Sequence, residues 1–463
     1  MPKTLQAGML VPLLLLLYSC GSKEENYTAY FGGQVQNPRT PYVLFSKDNK
    51  VIDTLPLDKD NRFFIKFDSL TPGLYSFKHD PDYQYIYFDR NDSLMVSINT
   101  ADFDQSIVFS GRGERKNNFM MDLFIQQEND RHKSYDVYNY KYPDFKKAID
   151  SSFSVRDAFY KKTKKEVKWS EGFDFYAKTR LMLNYYTKKE YYPYIHARRT
   201  GEDIKSQLPK DYYAHRKTIK FEDNRLTDFS PFLRYLNGML NNLAITHSFK
   251  KGNVQENPLR DNISKLAIAD SIFKKPAIKN EILNNIAFSY LLEDQNIVNN
   301  KTFLDRYMQL STDNSSDNEI RKIGESIKNL NEGSKLPQIG LVDISNKPFN
   351  ISNDINKETV IFFWTSCARA HLENVYHRVE DLKKQHPNVE FIAVNVDNDA
   401  EWKKTMASYN FANALQLRAT DFDSLRHKWV FTKINRTIIL NADGTIKNGF
   451  TNLLDAKFTE LLR

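Results

Sequence analysis

Cysteine is almost absent from this chain of 463 residues, whose two copies are Cys20 and Cys367. Thiol exchange that closes an internal disulfide needs an attacking and a resolving sulfur on the same short turn. No alignment of the chain can bring two cysteines to a spacing of Cys-x-x-Cys. The composition therefore excludes a dithiol active site of that kind.

Long apolar runs are also missing, with one exception near the N-terminus. No other segment approaches the roughly 18 uninterrupted apolar residues that are typical of a membrane-spanning helix. The exception covers residues 9–17 behind Lys3, and it has the length of a signal-peptide core while being too short to cross a bilayer. We therefore predict a signal peptide over residues 1–19.

The predicted signal peptide ends in the sequence Leu-Tyr-Ser-Cys at residues 17–20, which resembles the lipobox of bacterial lipoproteins. That resemblance implies cleavage before Cys20 and acylation of this cysteine, which anchors the mature protein to a membrane. Residues 20–26 then form a polar tether, in which a lysine and two glutamates resemble a surface-export signal of some Gram-negative lipoproteins. We expect an outer-membrane lipoprotein of the cell envelope, facing the cell surface or, as the less favoured alternative, the periplasm.

Neither sign of charge forms a long block, although 66 basic residues exceed 58 acidic ones and the formal net charge is +8. Interspersed charges of this kind are typical of a solvated surface rather than of a nucleic-acid footprint. The sequence also has no glycine-rich phosphate loop, no Gly-x-Ser-x-Gly elbow and no histidine or cysteine cluster at metal-binding spacing. We therefore predict no cofactor, no metal and no nucleic-acid partner.

What the chain does contain is three regions of different hydrophobic periodicity. The first, residues 27–112, alternates turn clusters with runs rich in β-branched and aromatic residues, at 42–45, 63–67, 85–88 and 94–98. Short strands at that spacing predict a small β-sandwich. The order of its motifs resembles the β-domain of unknown function that precedes thioredoxin-like domains in many bacterial lipoproteins.

The second region, residues 113–333, has the periodicity of an all-α domain. One helical face comprises Leu283, Ile286, Ala287, Tyr290 and Leu291. Tyrosines are concentrated among lysines and arginines at positions 185, 186, 191, 192 and 194. They form either a sugar- or peptide-binding surface or, as we favour, helix-packing positions with polar tips.

The third region, residues 334–463, predicts alternating strands and helices. Its elements are a buried strand over 359–364, a helix over 372–382, strands over 389–396 and 436–441, and a closing helix that carries Leu453, Leu454, Phe458 and Leu461. This order resembles a thioredoxin-like domain of the TlpA type, a relative of the AhpC-TSA-like proteins. The chain as a whole is thus expected to be multidomain, with an N-terminal β-sandwich, a central all-α region and a C-terminal α/β thioredoxin-like fold.

The active-site segment of that family resembles residues 361–371, with the sequence Ile-Phe-Phe-Trp-Thr-Ser-Cys-Ala-Arg-Ala-His. In the family, the first catalytic cysteine follows a Phe-Trp pair by four residues. A gapless alignment on that pair puts the two cysteine positions on Ala368 and His371, and neither carries a thiol. A deletion of one residue would instead bring Cys367 to the nucleophile position and Ala370 to the resolving position.

A second family feature is a cis-proline before the strand that faces the active site, where the backbone pairs with a substrate peptide. In the aligned sequence, Asn435 occupies the proline position. A cis peptide bond without proline costs about 3 kcal/mol, so we expect a trans bond and a reshaped groove. Two separate elements of the family's site have therefore changed, which favours a loss of redox function over a misplaced gap.

Two functional hypotheses follow. The first is a redox-degenerate thioredoxin-like domain that serves as a binding or interaction module for a protein or a glycan. The alternative is a thiol-disulfide oxidoreductase or a peroxide-reactive monothiol that acts through Cys367, because a helix N-terminus together with Arg369 and His371 would favour its thiolate. We regard Cys367 more readily as a small apolar core residue than as a reactive thiol.

Overall fold

The computed structural model describes residues 27–462 except 81, 134, 251–256, 294–295, 316–317, 367, 410–412, 432 and 456. Cys20, Cys367 and the predicted signal peptide and tether lie outside the described residues. The chain divides into two compact units, of which the first is Met1–Tyr135 with Ser151–Leu181 and the second is Asp136–Asp150 with Met182–Arg463.

Eight strands form two four-stranded sheets within the described part of the first unit. They are β1 (Ala29–Gln36), β2 (Tyr42–Lys47), β3 (Lys50–Pro56), β4 (Arg62–Phe67), β5 (Gly73–His79), β6 (Asp82–Phe88), β7 (Ser93–Asn99) and β8 (Val108–Arg112). One sheet has the strand order β4-β1-β7-β8 and the other has the order β3-β2-β5-β6. Neighbouring strands are antiparallel except β1 and β7, which run parallel.

The two sheets pack face to face, because every second side chain of a strand points inward. In β7, Leu94, Val96 and Ile98 are buried while the residues between them face outward. Phe31 on one sheet lies 5.4 Å from Phe45 on the other, measured between ring centroids. Each fully buried side chain of this size contributes about 1.5–3 kcal/mol to stability. The predicted β-sandwich is confirmed.

The central part of the chain is helical, as predicted. Its helices are α2 (Glu114–Lys133), α3 (Tyr142–Val167), α4 (Glu171–Thr200), α5 (Ser230–Lys250), α6 (Pro258–Ile272), α7 (Pro276–Glu293), α8 (Ile297–Leu310) and α9 (Glu319–Asn329), while the short helix α1 (Phe103–Ser106) lies earlier, between β7 and β8. The predicted face of α7 is buried, with Leu283 and Ala287 fully inaccessible to solvent. Asn318 caps α9 by accepting hydrogen bonds from two backbone N–H groups of its first turn. None of the helices in the described ranges is both long and apolar enough to cross a membrane.

The tyrosines of the second unit include several that pack in its interior. Tyr192 is fully buried, stacks on Phe145 at a centroid distance of 3.7 Å and donates its hydroxyl to the Tyr140 carbonyl at 2.8 Å. The Tyr185 hydroxyl donates to Asp150 Oδ1 at 2.6 Å. At these two positions the rings fill space between helices and the hydroxyls are satisfied, which is the packing role that the sequence favoured.

The C-terminal part of the second unit is an α/β domain. Its elements are β9 (Leu341–Val342), α10 (Ile351–Asp354), β10 (Thr359–Trp364), α11 (Arg369–Gln385), β11 (Glu390–Asn395), α12 (Asp399–Met406), β12 (Leu415–Ala419), α13 (Phe422–Lys428), β13 (Arg436–Leu440) and β14 (Ile446–Asn452). The sheet order is β14-β13-β10-β11-β12-β9, so that β10 lies in the middle. All six residues of β10 are buried, because neighbouring strands and helices cover it on every side.

The predicted closing helix differs from the observed structure. Strand β14 extends to Asn452, and Leu453 follows it directly as a buried side chain whose N–H donates to Thr437 Oγ1 at 3.0 Å. Leu454 is exposed, and a short 3₁₀-helix over Phe458–Leu462 is all that remains of the predicted helix. Leu453 and Phe458 still pack in the core of the domain, the first from the turn after β14 and the second from the 3₁₀-helix.

Candidate functional site

The carboxyl ends of the parallel neighbours β10 and β11 form the edge at which a site of this fold is expected. Strand β10 ends at Trp364, and α11 begins at Arg369. The connecting segment contains Thr365, Ser366 and Ala368 as described residues, whereas Cys367 lies outside them. The structure therefore describes both flanks of the predicted thiol position without the thiol itself.

A carboxylate from the neighbouring strand holds this connecting segment. Asp397, two residues beyond the end of β11, accepts a hydrogen bond from the Thr365 hydroxyl and another from the Ser366 N–H at 2.7 Å. The amide of Asn395, a fully buried residue, donates to the same carboxylate at 3.0 Å. Charge-assisted hydrogen bonds are stronger than neutral ones, so Asp397 fixes the start of the turn.

Asp397 was not among the site residues predicted from the sequence. A signal was present, because a strand was predicted over residues 389–396, the next strand along the chain after the active-site segment, and Asn395 and Asp397 lie at its end. Polar side chains at the carboxyl ends of adjacent parallel strands meet at one edge of the sheet. Their hydrogen bonds to residues about 30 positions earlier depend on strand order, which periodicity alone does not reveal.

The two positions that the gapless alignment assigns to catalytic cysteines flank the start of α11. Ala368 occupies the N-cap of that helix and has no side-chain group with which to cap it. His371 lies in the first turn, and its Nε2 is 3.1 Å from the Phe363 carbonyl oxygen. With Nε2 protonated, the imidazole donates to the end of β10. A methyl group and a hydrogen-bonded imidazole thus occupy the two positions that the gapless alignment assigns to cysteines.

Asn435 comes to the same edge of the sheet by the antiparallel pairing of β13 with β10. Thr437 pairs with Phe362, so the residues that precede Thr437 run past the carboxyl end of β10. Asn435 lies in the turn before β13 and is half-buried. The structure therefore brings Ala368, His371 and Asn435 to one edge, as the resemblance implied, while the trans geometry at Asn435 stays a prediction.

An unusual arginine supports the loop that carries Asn435. Arg436 is 1% exposed, and its guanidinium donates to the Val430 and Gly449 carbonyl oxygens, the latter at 2.7 Å. The guanidinium also lies 4.0 Å from the centroid of the Phe450 ring. Burial lowers the pKa of Arg436 to about 9. Because one carbonyl oxygen belongs to the loop and the other to β14, the guanidinium ties the loop at Val430 to β14.

The backbone of Val430, to which Arg436 is hydrogen-bonded, is strained. Val430 has a φ of +51°, in the left-handed region that a β-branched residue rarely adopts. Its side chain is nonetheless buried, and its carbonyl oxygen is one of the two that Arg436 binds. Backbone strain of this kind costs about 1–3 kcal/mol and persists where surrounding contacts hold it. The arginine and the strained valine together define the shape of the loop before β13.

Comparison with known families agrees with this architecture. A family model described as Thioredoxin-like matches residues 356–446, which run from just before β10 to the first residue of β14. The C-terminal domain is thioredoxin-like. The predicted family resemblance is confirmed for this domain, and the β-rich region that was expected to precede it is present in the first unit.

Solved structures similar to the thioredoxin-like domain come from several bacteria. A candidate thiol-disulfide oxidoreductase from Bacteroides vulgatus is 18% identical, with a TM-score of 0.27 and coverage of 29% of this chain and 95% of that chain. The thioredoxin domain of another B. vulgatus thiol-disulfide oxidoreductase is 19% identical, with a TM-score of 0.22 and coverage of 25% and 86%. A domain of a candidate thiol-disulfide isomerase from Cytophaga hutchinsonii is 22% identical, with a TM-score of 0.24 and coverage of 27% and 86%. A search of curated proteins found no match.

Proposed function

We propose that this protein is a lipid-anchored protein of the cell envelope whose thioredoxin-like domain binds a partner and does not perform dithiol exchange. The observation that carries the proposal is the absence of a second sulfur at the site. Ala368 and His371 occupy the aligned cysteine positions, and the sequence has no cysteine after Cys20 other than Cys367. Fold alone does not imply function, and here the residues do not support the chemistry of the fold's active members.

The scaffold around the site supports a binding role. Asp397 holds the turn after β10, and Arg436 anchors the loop before β13. A rigid edge loses little conformational freedom when a partner binds, which favours affinity. In the family this loop pairs through its backbone with a peptide, so a protein segment is the partner class that we propose, with a glycan as the other outcome of a binding screen.

Insulin-disulfide reduction by the purified mature chain tests the loss of dithiol chemistry. We expect wild type and Cys367→Ser to show the same rate as buffer. The matched positive control is the double variant Ala368→Cys with His371→Cys in the Cys367→Ser background, which places a Cys-x-x-Cys pair at the N-terminus of α11. Turnover by wild type that Cys367→Ser abolishes would contradict the proposal.

The lipid anchor is a separate part of the proposal and rests on the sequence, since Cys20 lies outside the described residues. Cells fed an alkyne-labelled fatty acid should incorporate the label into the wild-type protein and not into Cys20→Ala. Cys367→Ser is the matched control, because it removes the other cysteine and should retain the label. Equal labelling of wild type and Cys20→Ala would refute acylation at this position.

The monothiol hypothesis remains the second candidate, because α11 begins two residues after Cys367 and helix N-termini favour thiolates. Asp397 opposes it, since its carboxylate binds the N–H of the residue directly before Cys367 and a nearby negative charge disfavours a thiolate. The rate at which Cys367 is alkylated at neutral pH, in the native and in the unfolded protein, distinguishes a reactive monothiol from a non-catalytic binding module. A Cys367 that reacts rapidly in the native protein, and faster than in the unfolded chain, would favour the second candidate.

A further inference from the structure

The outer face of the sheet β4-β1-β7-β8 in the first unit is partly apolar, although outward positions of a solvated sheet normally carry polar side chains. Phe64 on β4 is 63% exposed, Met95 on β7 is 40% exposed and Val108 on β8 is 57% exposed. Phe64 and Met95 both pair with Gly32 of β1, and a Cβ on that glycine would lie 2.9 Å from an atom of each side chain. The two side chains therefore reach over Gly32 from opposite sides and form a continuous apolar strip rather than isolated surface residues.

The charged side chains at the outward positions of the same sheet are all basic. Across the four strands, one row of paired outward positions consists of Lys66, Tyr30, Ser93 and Arg112. The Tyr30 ring stacks beside Phe64 at a centroid distance of 6.0 Å, so it extends the apolar strip. Acidic side chains flank the sheet at its turns, where Asp68 pairs with Lys66 at 2.7 Å and Asp58 accepts a hydrogen bond from the Arg62 N–H at 2.9 Å. An apolar strip with cations around it is the composition of a surface that binds lipid headgroups.

The chain enters this sheet from the side of the predicted lipid anchor. Tyr27, the first described residue, is held to the sandwich, because its carbonyl oxygen accepts a hydrogen bond from the Leu70 N–H at 2.8 Å and its hydroxyl accepts one from Arg90 at 3.0 Å. Tyr30 follows three residues later and already lies on the outer face of β1. The predicted tether, fully extended, spans at most about 25 Å. The anchor proposed at Cys20, on which this argument rests, would therefore keep the face within that distance of a bilayer.

We propose that this outer face lies on the surface of an anionic lipid bilayer. The apolar and aromatic side chains enter the headgroup region, and the basic side chains extend to the lipid phosphates. Each lysine or arginine near an anionic surface adds to the attraction. A second copy of the chain fits this face less well, because a two-fold interface would bring the same three cations of each copy together. The proposed contact residues are Tyr30, Arg62, Phe64, Lys66, Met95, Val108 and Arg112.

Fluorescence quenching on vesicles tests the proposal. The mature chain carries a histidine tag in place of Cys20, so a nickel-chelating lipid holds it whether or not the cell acylates the protein. Failure of this test is thereby distinguishable from failure of the proposed acylation. A dye is attached at Ser97→Cys, an exposed outward position of β7, in the Cys367→Ser background. The vesicles contain phosphatidylethanolamine and phosphatidylglycerol, with lipids brominated in their acyl chains as the quencher.

We expect the brominated lipids to quench the dye at position 97 at least about twofold more than a dye at Val155→Cys, an exposed position of α3. Replacing phosphatidylglycerol by phosphatidylcholine should reduce this difference, because the cations then lose their anionic partners. Equal quenching at the two dye positions in the otherwise unchanged protein would overturn the proposal.

Phe64→Ser removes the exposed aromatic ring of the strip and should lower quenching at position 97 to the level seen at position 155. Val51→Ser, at an exposed position of β3 in the other sheet, is the matched control and should leave quenching unchanged. Equal losses from the two variants would contradict a lipid contact through this face. So would a dimer in solution that Phe64→Ser dissociates, because a second copy would then cover the face. The comparison of the two dye positions decides the question by itself if a variant does not fold.

Discussion

Glu190 is expected to be one of the largest single electrostatic contributors to the stability of the second unit. It lies on α4 with its carboxylate fully buried, and it accepts hydrogen bonds from Arg216 Nε at 2.8 Å and Nη2 at 2.6 Å. His215 Nε2 lies 2.9 Å away, and the Asn242 amide donates at 3.0 Å. Burial by itself would raise the pKa of Glu190, but the hydrogen bonds from Arg216 and His215 outweigh it and lower the pKa to about 2.

The size of the effect follows from that pKa. The ordinary value is 4.5, so the folded state holds the charged form more strongly by about 2.5 pH units, or about 3 kcal/mol. Because the pKa is lower in the folded state, this contribution is complete above pH 4.5 and is lost as the pH falls toward 2. By pH 3 about 2 kcal/mol of it should be gone.

Glu190→Gln removes the charge and leaves the Arg216 guanidinium without its anion. Removing one partner of a buried pair costs about 3–5 kcal/mol, so we expect a loss in that range at pH 7. The difference between wild type and variant should shrink by about 2 kcal/mol at pH 3. Amide hydrogen exchange of α4 and α5 in increasing urea measures the local free energy of unfolding at both pH values.

The control is Glu325→Gln, at an exposed position of α9, which should change stability by less than about 0.5 kcal/mol at either pH. A Glu190→Gln effect below about 1 kcal/mol at pH 7, or one that stays constant between pH 7 and pH 3, would refute the reasoning. Either result would mean that the pKa of Glu190 is not lowered by its partners.

Three further predictions concern other parts of the molecule. Asp397→Asn weakens the hold on Thr365 and Ser366 and should lower the urea stability of the thioredoxin-like domain, followed by tryptophan fluorescence, by about 2 kcal/mol. Gly111→Ala should destabilise the β-sandwich by at least about 3 kcal/mol in urea unfolding, because φ is +96° and a Cβ would lie 2.2 Å from the Ser93 carbonyl oxygen. Gly201→Ala, also at positive φ but with nothing within 4 Å of the new Cβ, should cost only about 1 kcal/mol, and equal losses would contradict the steric argument.

Much of the architecture follows from local patterns along the chain. Alternation predicted the strand that buries Val96, and spacing of three and four predicted the helix that buries Ala287. The closing helix was wrong because the pattern of leucines did not reveal where β14 ends. That strand extends to Asn452, and the buried Leu453 follows it directly in a turn.

Part of the candidate site could be predicted from the sequence, and part of it could not. Identities at Ala368, His371 and Asn435, together with the cysteine count, were enough to predict a site without dithiol chemistry. The roles of Asp397 and Arg436 emerged only from the fold, since their partners are carbonyl, hydroxyl and N–H groups brought near by strand order and loop path. Such partners leave no periodic trace in the chain.

The sequence by itself determined the class of each region and the loss of the second sulfur, because periodicity and composition are properties of neighbouring residues. The tertiary structure alone decided that Glu190 meets Arg216, that Asp397 binds the turn after β10, and that Arg436 ties the loop before β13 to β14. These contacts join residues of separate elements. The physical reason is that burial, and with it the cost or gain of each charge, depends on how the elements pack, and packing is set by the whole chain.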